Sequence, residues 1–277
     1  MARGDDLNVV LSLKNFSLIP RRAMQSSLSI YAVTRIPIVN AGDDVALLIL
    51  AAIPASGLSL VDGDILVVSQ KIVSLAEDRL VRLDSVDVSA EALKLSAETG
   101  KDPRLVELIL QESSDVIRKK AGVIIVRHRL GFVGANAGID QSNIDHADGE
   151  CALLLPENPD RSARQIRDFF MQELGCQIGV IVSDSINRPW RLGSIGAAIG
   201  SAGITVLDDR RGEEDLFGRK MKITEINRAD AIAAAAVLVM GETTESTPVA
   251  IVHGFPAANS EQTARHSIRP IEEDLFL

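Results

Sequence analysis

The sequence predicts a mixed α/β (α+β) chain whose sheets are covered by helices, and two patterns predict it. Several strand-like segments are continuous apolar runs rather than alternating ones, as in "DILVV" (64–68), "GVIVS" (179–183) and "TPVAIV" (247–252). Such strands are apolar on both sides and belong to a sheet covered on both faces. Between them stand segments with helical spacing, one opening with Pro103 and others ending at Gly175 and Gly241. Aromatic residues are only 3% of the chain, so Val, Ile, Leu and Ala must build the core.

Taken in order, residues 1–23 mix acidic and basic groups around a short apolar patch at Leu7–Leu13, too weak and badly flanked for a signal peptide. They are read as an N-terminal extension, expected to be disordered, which leaves 24–277 as one unit of two interwoven subdomains. Strand patterning begins in "QSSLSIYAVTRIPIV" after Met24. Residues 63–81 start with a Gly-Asp turn and run into a buried strand. Residues 89–99 and 103–119 read as helices, the second with Pro103 in its first turn. Residues 121–140 read as two strands joined by a tight hairpin around Arg129–Gly131. In 160–174, Ile166, Phe169, Phe170 and Leu174 fall at helical spacing before a Gly175 stop. The strand at 177–183 is expected to stop on Asp184, with a turn after it. Glycines at 193, 196, 200 and 203 suggest close backbone packing, since no phosphate-loop pattern is present. A small-residue helix fills 227–241, and 247–255 is the last strong strand. No repeat, low-complexity tract or linker stands out.

The formal net charge of −9 argues against nucleic acid as a partner, because phosphate contacts call for a basic surface. Cys151 and Cys176 have no metal or redox spacing, and a reduced cytoplasmic pair is the plainer reading than a disulfide. The longest apolar stretch, Val45–Val61, is broken by Pro54 and Gly57, so no membrane span is expected. The four histidines lack ligand spacing and read as structural or surface residues.

Polar clusters punctuate the apolar runs: Ser69-Gln70-Lys71, "GANAGIDQSN" with Asp140 and Asn143, Asp184-Ser185, and "GETTESTP" with Glu242 and Glu245. Ligand sites in α/β folds gather where strands end, so these clusters can converge. Carboxylates on separate loops, with amide and hydroxyl neighbours and no His or Cys, suit a hard cation such as Mg²⁺ or Mn²⁺. Singly, each has a duller reading. An Asp at a strand end is often a cap or turn former, and a lone lysine is usually solvated.

In order and together, "VVSQKIVSLAED", "GFVGANAGIDQSN", "VIVSDSINRPWRLGSIGAAIG", "DLFGR" and "GETTESTPVAIVHG" resemble the coenzyme F420-0:L-glutamate ligase (γ-glutamyl ligase) family. The resemblance runs from about Ile30 to beyond Gly254. It implies a family-specific mixed α/β fold working as an intertwined homodimer. It also implies GTP-dependent joining of L-glutamate to the carboxylate of a deazaflavin coenzyme precursor, with two Mn²⁺ or Mg²⁺ ions and K⁺ as a further candidate. Carried over residue by residue, the metal ligands fall on Asp140, Asp184, Ser185 and Glu242, the three acids being the catalytic set. Nucleotide contacts fall on Arg35 and Pro37, Gln70, Lys71, Asn143, and Gly241 with Thr243, Thr244 and Glu245. Arg188 and Arg191 are then placed to take the acceptor's acidic groups, with Trp190 either stacking on a flat ring or packing the loop. Activating a carboxylate as an acyl phosphate needs positioning and charge neutralisation rather than a protein nucleophile, which agrees with this residue set.

The chain departs from the family pattern in places. Leu75 stands where family members carry a second lysine, Ile186-Asn187 replace Phe-Gly, His253 takes a cation position, and the early loop reads "TRIPIV". The changes at Leu75 and Ile186-Asn187 favour one alternative, the same chemistry on another carboxylate or amine; a second alternative, a non-catalytic nucleotide- or metal-binding protein, is opposed by retention of all three acids. An oxidoreductase is disfavoured, because no dinucleotide fingerprint follows a strand.

Overall fold

The computed structural model describes residues 27–146, 149–187 and 189–275; the expected extension at 1–23 lies outside them. The elements run β1 (Ser29–Val33), α1 (Val45–Ala55), β2 (Ile65–Ser69), α2 (Gln70–Ala76), β3 (Leu80–Arg82), α3 (Ala90–Thr99) and α4 (Pro103–Gln111). Then come β4 (Ser113–Lys120), β5 (Val123–His128), β6 (Val133–Ala135), β7 (Cys151–Leu153) and α5 (Pro159–Leu174). The chain continues through β8 (Gly179–Asn187), β9 (Ser194–Ala202), β10 (Leu207–Asp209), β11 (Glu225–Asn227), α6 (Arg228–Met240) and β12 (Val249–His253). The mixed α/β class is as expected.

A five-stranded sheet in the order β1-β12-β2-β8-β9 forms the centre. β2 and β8 are parallel, and the other neighbours are antiparallel. The continuous apolar runs follow from its two covered faces. Leu66, Val68, Val180, Val182 and Ile251 pack with α1, α2 and α5 on one side. Ile65, Val67, Ile181, Ala250 and Val252 pack with α6 on the other. A third core lies under α3 and α4, where Leu95, Val106 and Ile109 meet Ile124 and Val126 of β5.

Local chemistry fixes the helix ends. Asn158 caps α5 by accepting from the Arg161 N–H at 3.0 Å, Pro159 occupies its first turn, and Gly175 closes it in the left-handed region at φ 69°. The glycines of β9 serve backbone packing, as expected. A Cβ on Gly196 would lie 2.5 Å from the Ala233 carbonyl oxygen of α6, and one on Gly200 would lie 2.3 Å from the Pro159 backbone of α5. They face opposite helices because β9 carries an extra residue: Val182 pairs with Gly200 but Ser183 pairs with Ala198. That bulge flips the β9 face against an unbroken β8.

Two expectations are corrected. Helix α4 stops at Gln111, and 113–120 is a strand paired with β5. Ser113, Ser114 and Asp115 disfavour a helix interior, and β-branched Val116 and Ile117 suit the ladder. Nor does β8 stop on Asp184: it continues to Asn187, held by pairing with β9 as far as Ser194. The hairpin expected around Arg129–Gly131 does join β5 to β6, closed by hydrogen bonds between His128 and Phe132 (2.8 Å) and between Gly131 and His128 (2.7 Å). Both cysteines are free. Among the described residues no helix is long and apolar enough to cross a membrane.

Candidate active site

The parallel pair β2 and β8 ends in register, Ser69 beside Ser183, and a cleft of about 710 Å³ opens there. Beyond Ser69 the chain turns straight into α2, with the Ser69 hydroxyl capping at the Lys71 N–H (3.4 Å). That brings Gln70 and Lys71 to the cleft wall. Successive residues of β8 face opposite sides of the sheet, so Asp184 and Ser185 reach the cleft from two directions. A third wall comes from the loop after β6, where Asn136, Ala137 and Gly138 all have left-handed φ (52°, 55° and 66°). Asp140 follows, its backbone locked to Leu153 by two hydrogen bonds of 3.0 and 2.8 Å. The fourth wall is the loop from Gly241 to Pro248, between α6 and β12.

Each carboxylate has a different environment. Asp140 pairs with the Lys71 ammonium at 2.7 Å and accepts from the Ser142 N–H and hydroxyl, both at 2.7 Å. Burial alone would raise its pKa, but hydrogen bonds from Lys71 and Ser142 outweigh burial and hold the carboxyl below its ordinary value. Glu242 accepts from the Ser185 hydroxyl at 2.5 Å. Among the described residues Asp184 forms no ion pair of its own. Loss of hydration, with the negative fields of Asp140 and Glu242 added, pushes it up to about 7, against the pull of the Ser185 N–H and of Lys71. Glu245 braces its own loop, accepting from the Thr243 N–H at 2.8 Å; this bond leads the contacts that hold its carboxyl below the usual range.

The structure brings Asp140, Asp184, Ser185 and Glu242 to one cleft, together with Pro37, Gln70, Lys71, Asn143, Gly241, Thr243, Thr244 and Glu245. Arg35, at φ 64°, is not among the lining residues, although Ile36–Val39 are. Trp190 and Arg191 are exposed on the turn after β8 and do not line the cleft, because β8 runs three residues past Asp184 and carries that turn away. Arg188 lies outside the described residues. His253 is also displaced from the expected cation position: it sits at the far end of the sheet, with its Nδ1 2.5 Å from the Asp64 carboxylate. Leu75, Ile186 and Asn187 do line the cleft.

Among the described residues, no three acidic, His or Cys side chains stand close enough to chelate a metal as they are. Asp140 is closed on Lys71 and Ser142, and Glu242 on Ser185. Donor type and charge nevertheless fit a hard cation. The lining carries neither His nor Cys, and among the described residues its four acids, Asp140, Asp184, Glu242 and Glu245, face one cation, Lys71. The Gln70 side chain adds a second pointer to a ligand. Its Oε1 accepts from Ser74 at 2.9 Å, while its buried Nε2 has no partner among the described residues, and an orphan donor of this kind is costly. Sequence reading missed Ser142, although Asp-x-Ser is the pattern of an Asx turn and signals it.

The family model for F420-0:gamma-glutamyl ligase matches residues 34–254. The coenzyme F420:L-glutamate ligase of Methanothermobacter thermautotrophicus is 45% identical over 251 residues, covering 90% of this chain and 98% of the relative. Those of Methanocaldococcus jannaschii and Methanopyrus kandleri are each 43% identical, over 78% and 86% of this chain and 85% and 93% of their own lengths.

The state of Asp184 gives a stability prediction. Its folded pKa is raised from 3.8 to about 7, so the folded form binds the proton more tightly than the unfolded chain does. The stability this confers is present at low pH and is lost as pH rises from about 4 through about 7. In cation-free buffer at pH 8, Asp184→Asn should raise the melting temperature by at least about 3 °C, the shift expected of roughly 1 kcal/mol in a chain of this size. The gain should shrink towards pH 4. A melting temperature at pH 8 equal to or below that of the wild type would count against the assignment.

Proposed function

The chain belongs to the F420-0:gamma-glutamyl ligase family, and from that premise we propose that it joins L-glutamate to the coenzyme F420 precursor. In this reading GTP activates the acceptor carboxylate as an acyl phosphate, and the glutamate amine displaces phosphate. The observation that carries the proposal is the cleft lined together by Asp140, Asp184, Glu242 and Lys71 within a chain of this family.

A carboxylate resists attack by an amine until one oxygen becomes a leaving group, and transfer of the γ-phosphoryl of GTP supplies one. Asp140, Asp184, Glu242 and the Ser185 hydroxyl would hold Mg²⁺ or Mn²⁺, which when bound supplies positive charge against phosphate oxygens. Lys71 is the flexible cation of the site, about a quarter exposed and paired with Asp140, so its ammonium is within reach of a phosphate entering the cleft. The Gln70 Nε2 offers a donor already stripped of water. The Gly241–Thr247 loop, stiffened by Glu245 and by the Thr247 hydroxyl donating to the Met240 carbonyl at 2.5 Å, offers backbone amides to the nucleotide. Positioning of this kind accounts for catalysis without a protein nucleophile.

The same chemistry on a different acceptor is the second reading, favoured by Leu75, Ile186 and Asn187, family departures that all line the cleft. A homodimer is part of the proposal as well. Leu192 and, on the loop between β10 and β11, Leu216, Phe217 and Ile223 are exposed, apolar surface of the kind a second copy covers.

Incubation with GTP, Mn²⁺, L-glutamate and F420-0 should yield a product heavier by one or more glutamyl units. Glu242→Gln and Asp184→Asn should each lower turnover by about a hundredfold or more while the protein stays folded. GDP release only with some other acid would favour the second reading. Near-normal turnover in both variants would contradict the assigned roles.

A further inference from the structure

A second cavity, of about 590 Å³, adjoins the cleft, and Phe132 and Ile186 line both. Its walls carry arginines in a way the rest of this acidic chain does not. Elsewhere among the described residues most arginines are matched to acids, as Arg79 is to Glu112 and Arg228 to Asp208. In this cavity Arg161, Arg164 and Arg265 are exposed lining residues, and no side-chain hydrogen bond or ion pair engages any of them among the described residues. A fourth, Arg127, is buried with its side chain only 9% exposed. Its Nη1 donates to the Gly131 carbonyl at 3.4 Å, but its Nη2 has no hydrogen-bond partner among the described residues and lies 3.6 Å from the Asp274 carboxylate.

The acids of the same walls are occupied with structure. Asp160 accepts from the Ser201 and Ala264 N–H groups at 2.8 and 2.9 Å. Asp230 accepts from the Ala198 N–H at 2.9 Å and the Asn227 amide at 2.6 Å. Asp274 faces Arg127, leaving Glu157 as the remaining carboxylate of the lining. The first turn of α5, a helix of 16 residues, also opens here and adds its positive end. Unpaired guanidinium forks beside a buried, unsatisfied one make a receptor for an oxyanion.

We propose that this cavity holds the phosphate- or carboxylate-bearing part of the acceptor substrate, while the reacting carboxylate extends past Phe132 and Ile186 into the cleft. The assignment rests on the ligase reading. It gives the acceptor's negative charge a seat away from the acids at Asp140, Asp184 and Glu242, which would repel it. It also moves the acceptor-binding role from the exposed Trp190–Arg191 turn to arginines that border the site.

The test compares wild type with Arg161→Gln, Arg265→Gln and the double variant, with Arg118→Gln, an exposed arginine of β4 that lines neither cavity, as control. The KM for F420-0 should rise about tenfold in each single variant and further in the double, with kcat and the KM for GTP within twofold of wild type. Equilibrium dialysis of F420-0 without nucleotide should show the same loss. Unchanged acceptor affinity in the double variant would overturn the proposal. So would a parallel loss of kcat and of affinity for both substrates, the mark of a structural role. A changed sedimentation coefficient with acceptor affinity intact would overturn it too, showing that the arginines face another copy of the chain. If wild type does not turn over F420-0, the ligase reading fails separately, and inorganic pyrophosphate becomes the probe. Thermal stabilisation of wild type that the double variant lacks would sustain an oxyanion site, and equal stabilisation of both would end it.

Discussion

A carboxyl deprived of water, with two further acids in the same cleft, sets the character of the functional end of this molecule. Three carboxylates that are far apart in sequence are brought to one cleft, and a single lysine pairs with one of them. Water would relieve such crowding, but the protein around Asp184 removes it, so that carboxyl keeps its proton to about pH 7. A folded protein does not gather acids at a cost in stability without compensation elsewhere. In this account the compensation is external: a divalent ion and a nucleotide complete the charge balance that the chain leaves open. The orphan Gln70 donor points the same way.

The scaffold makes that gathering possible by ordinary means. Parallel pairing of β2 with β8 sets Ser69 beside Ser183, so the loops leaving those two strands must share space. The extra residue in β9 lets Gly196 lie against α6 and Gly200 against α5. Both helices are thereby pulled close to the edge of the sheet, and the end of α6 delivers Glu242 to the hydroxyl of Ser185. Small residues here are a packing device, and the chemistry depends on them indirectly.

Much of this was legible in the sequence. Continuous apolar runs identified the covered strands, Gly175 marked the end of α5, and the polar clusters at the ends of the runs marked the cleft. What escaped depended on partners distant in the chain. Nothing local shows that Ser185–Asn187 stay in a ladder; that follows from Ser194–Gly196 across the hairpin, and it is why the Trp190–Arg191 turn lies off the site. The strand at 113–120 is fixed by β5, and local periodicity alone favoured a helix. His253 reads as a cation near the site until the antiparallel register of β12 places it at the opposite end, beside Asp64. The arginine cavity joins residues from β5, α5 and the 264–269 segment, a set that no motif contains.

The cleft and the arginine cavity divide the electrostatic work. In the proposed function the first holds cations among its acids and the second holds an anionic organic ligand among its arginines, with Phe132 and Ile186 lining both. Under the proposed function, such a division would let an acidic protein bind two anionic substrates side by side. The most direct test is an anomalous-scattering map from crystals grown with Mn²⁺ and a non-hydrolysable GTP analogue. The account predicts a Mn²⁺ peak bounded by Asp140, Asp184 and Glu242, with the Lys71 ammonium released from Asp140 onto phosphate. A peak elsewhere, or nucleotide bound with the Lys71–Asp140 pair intact and no metal among the three acids, would contradict it.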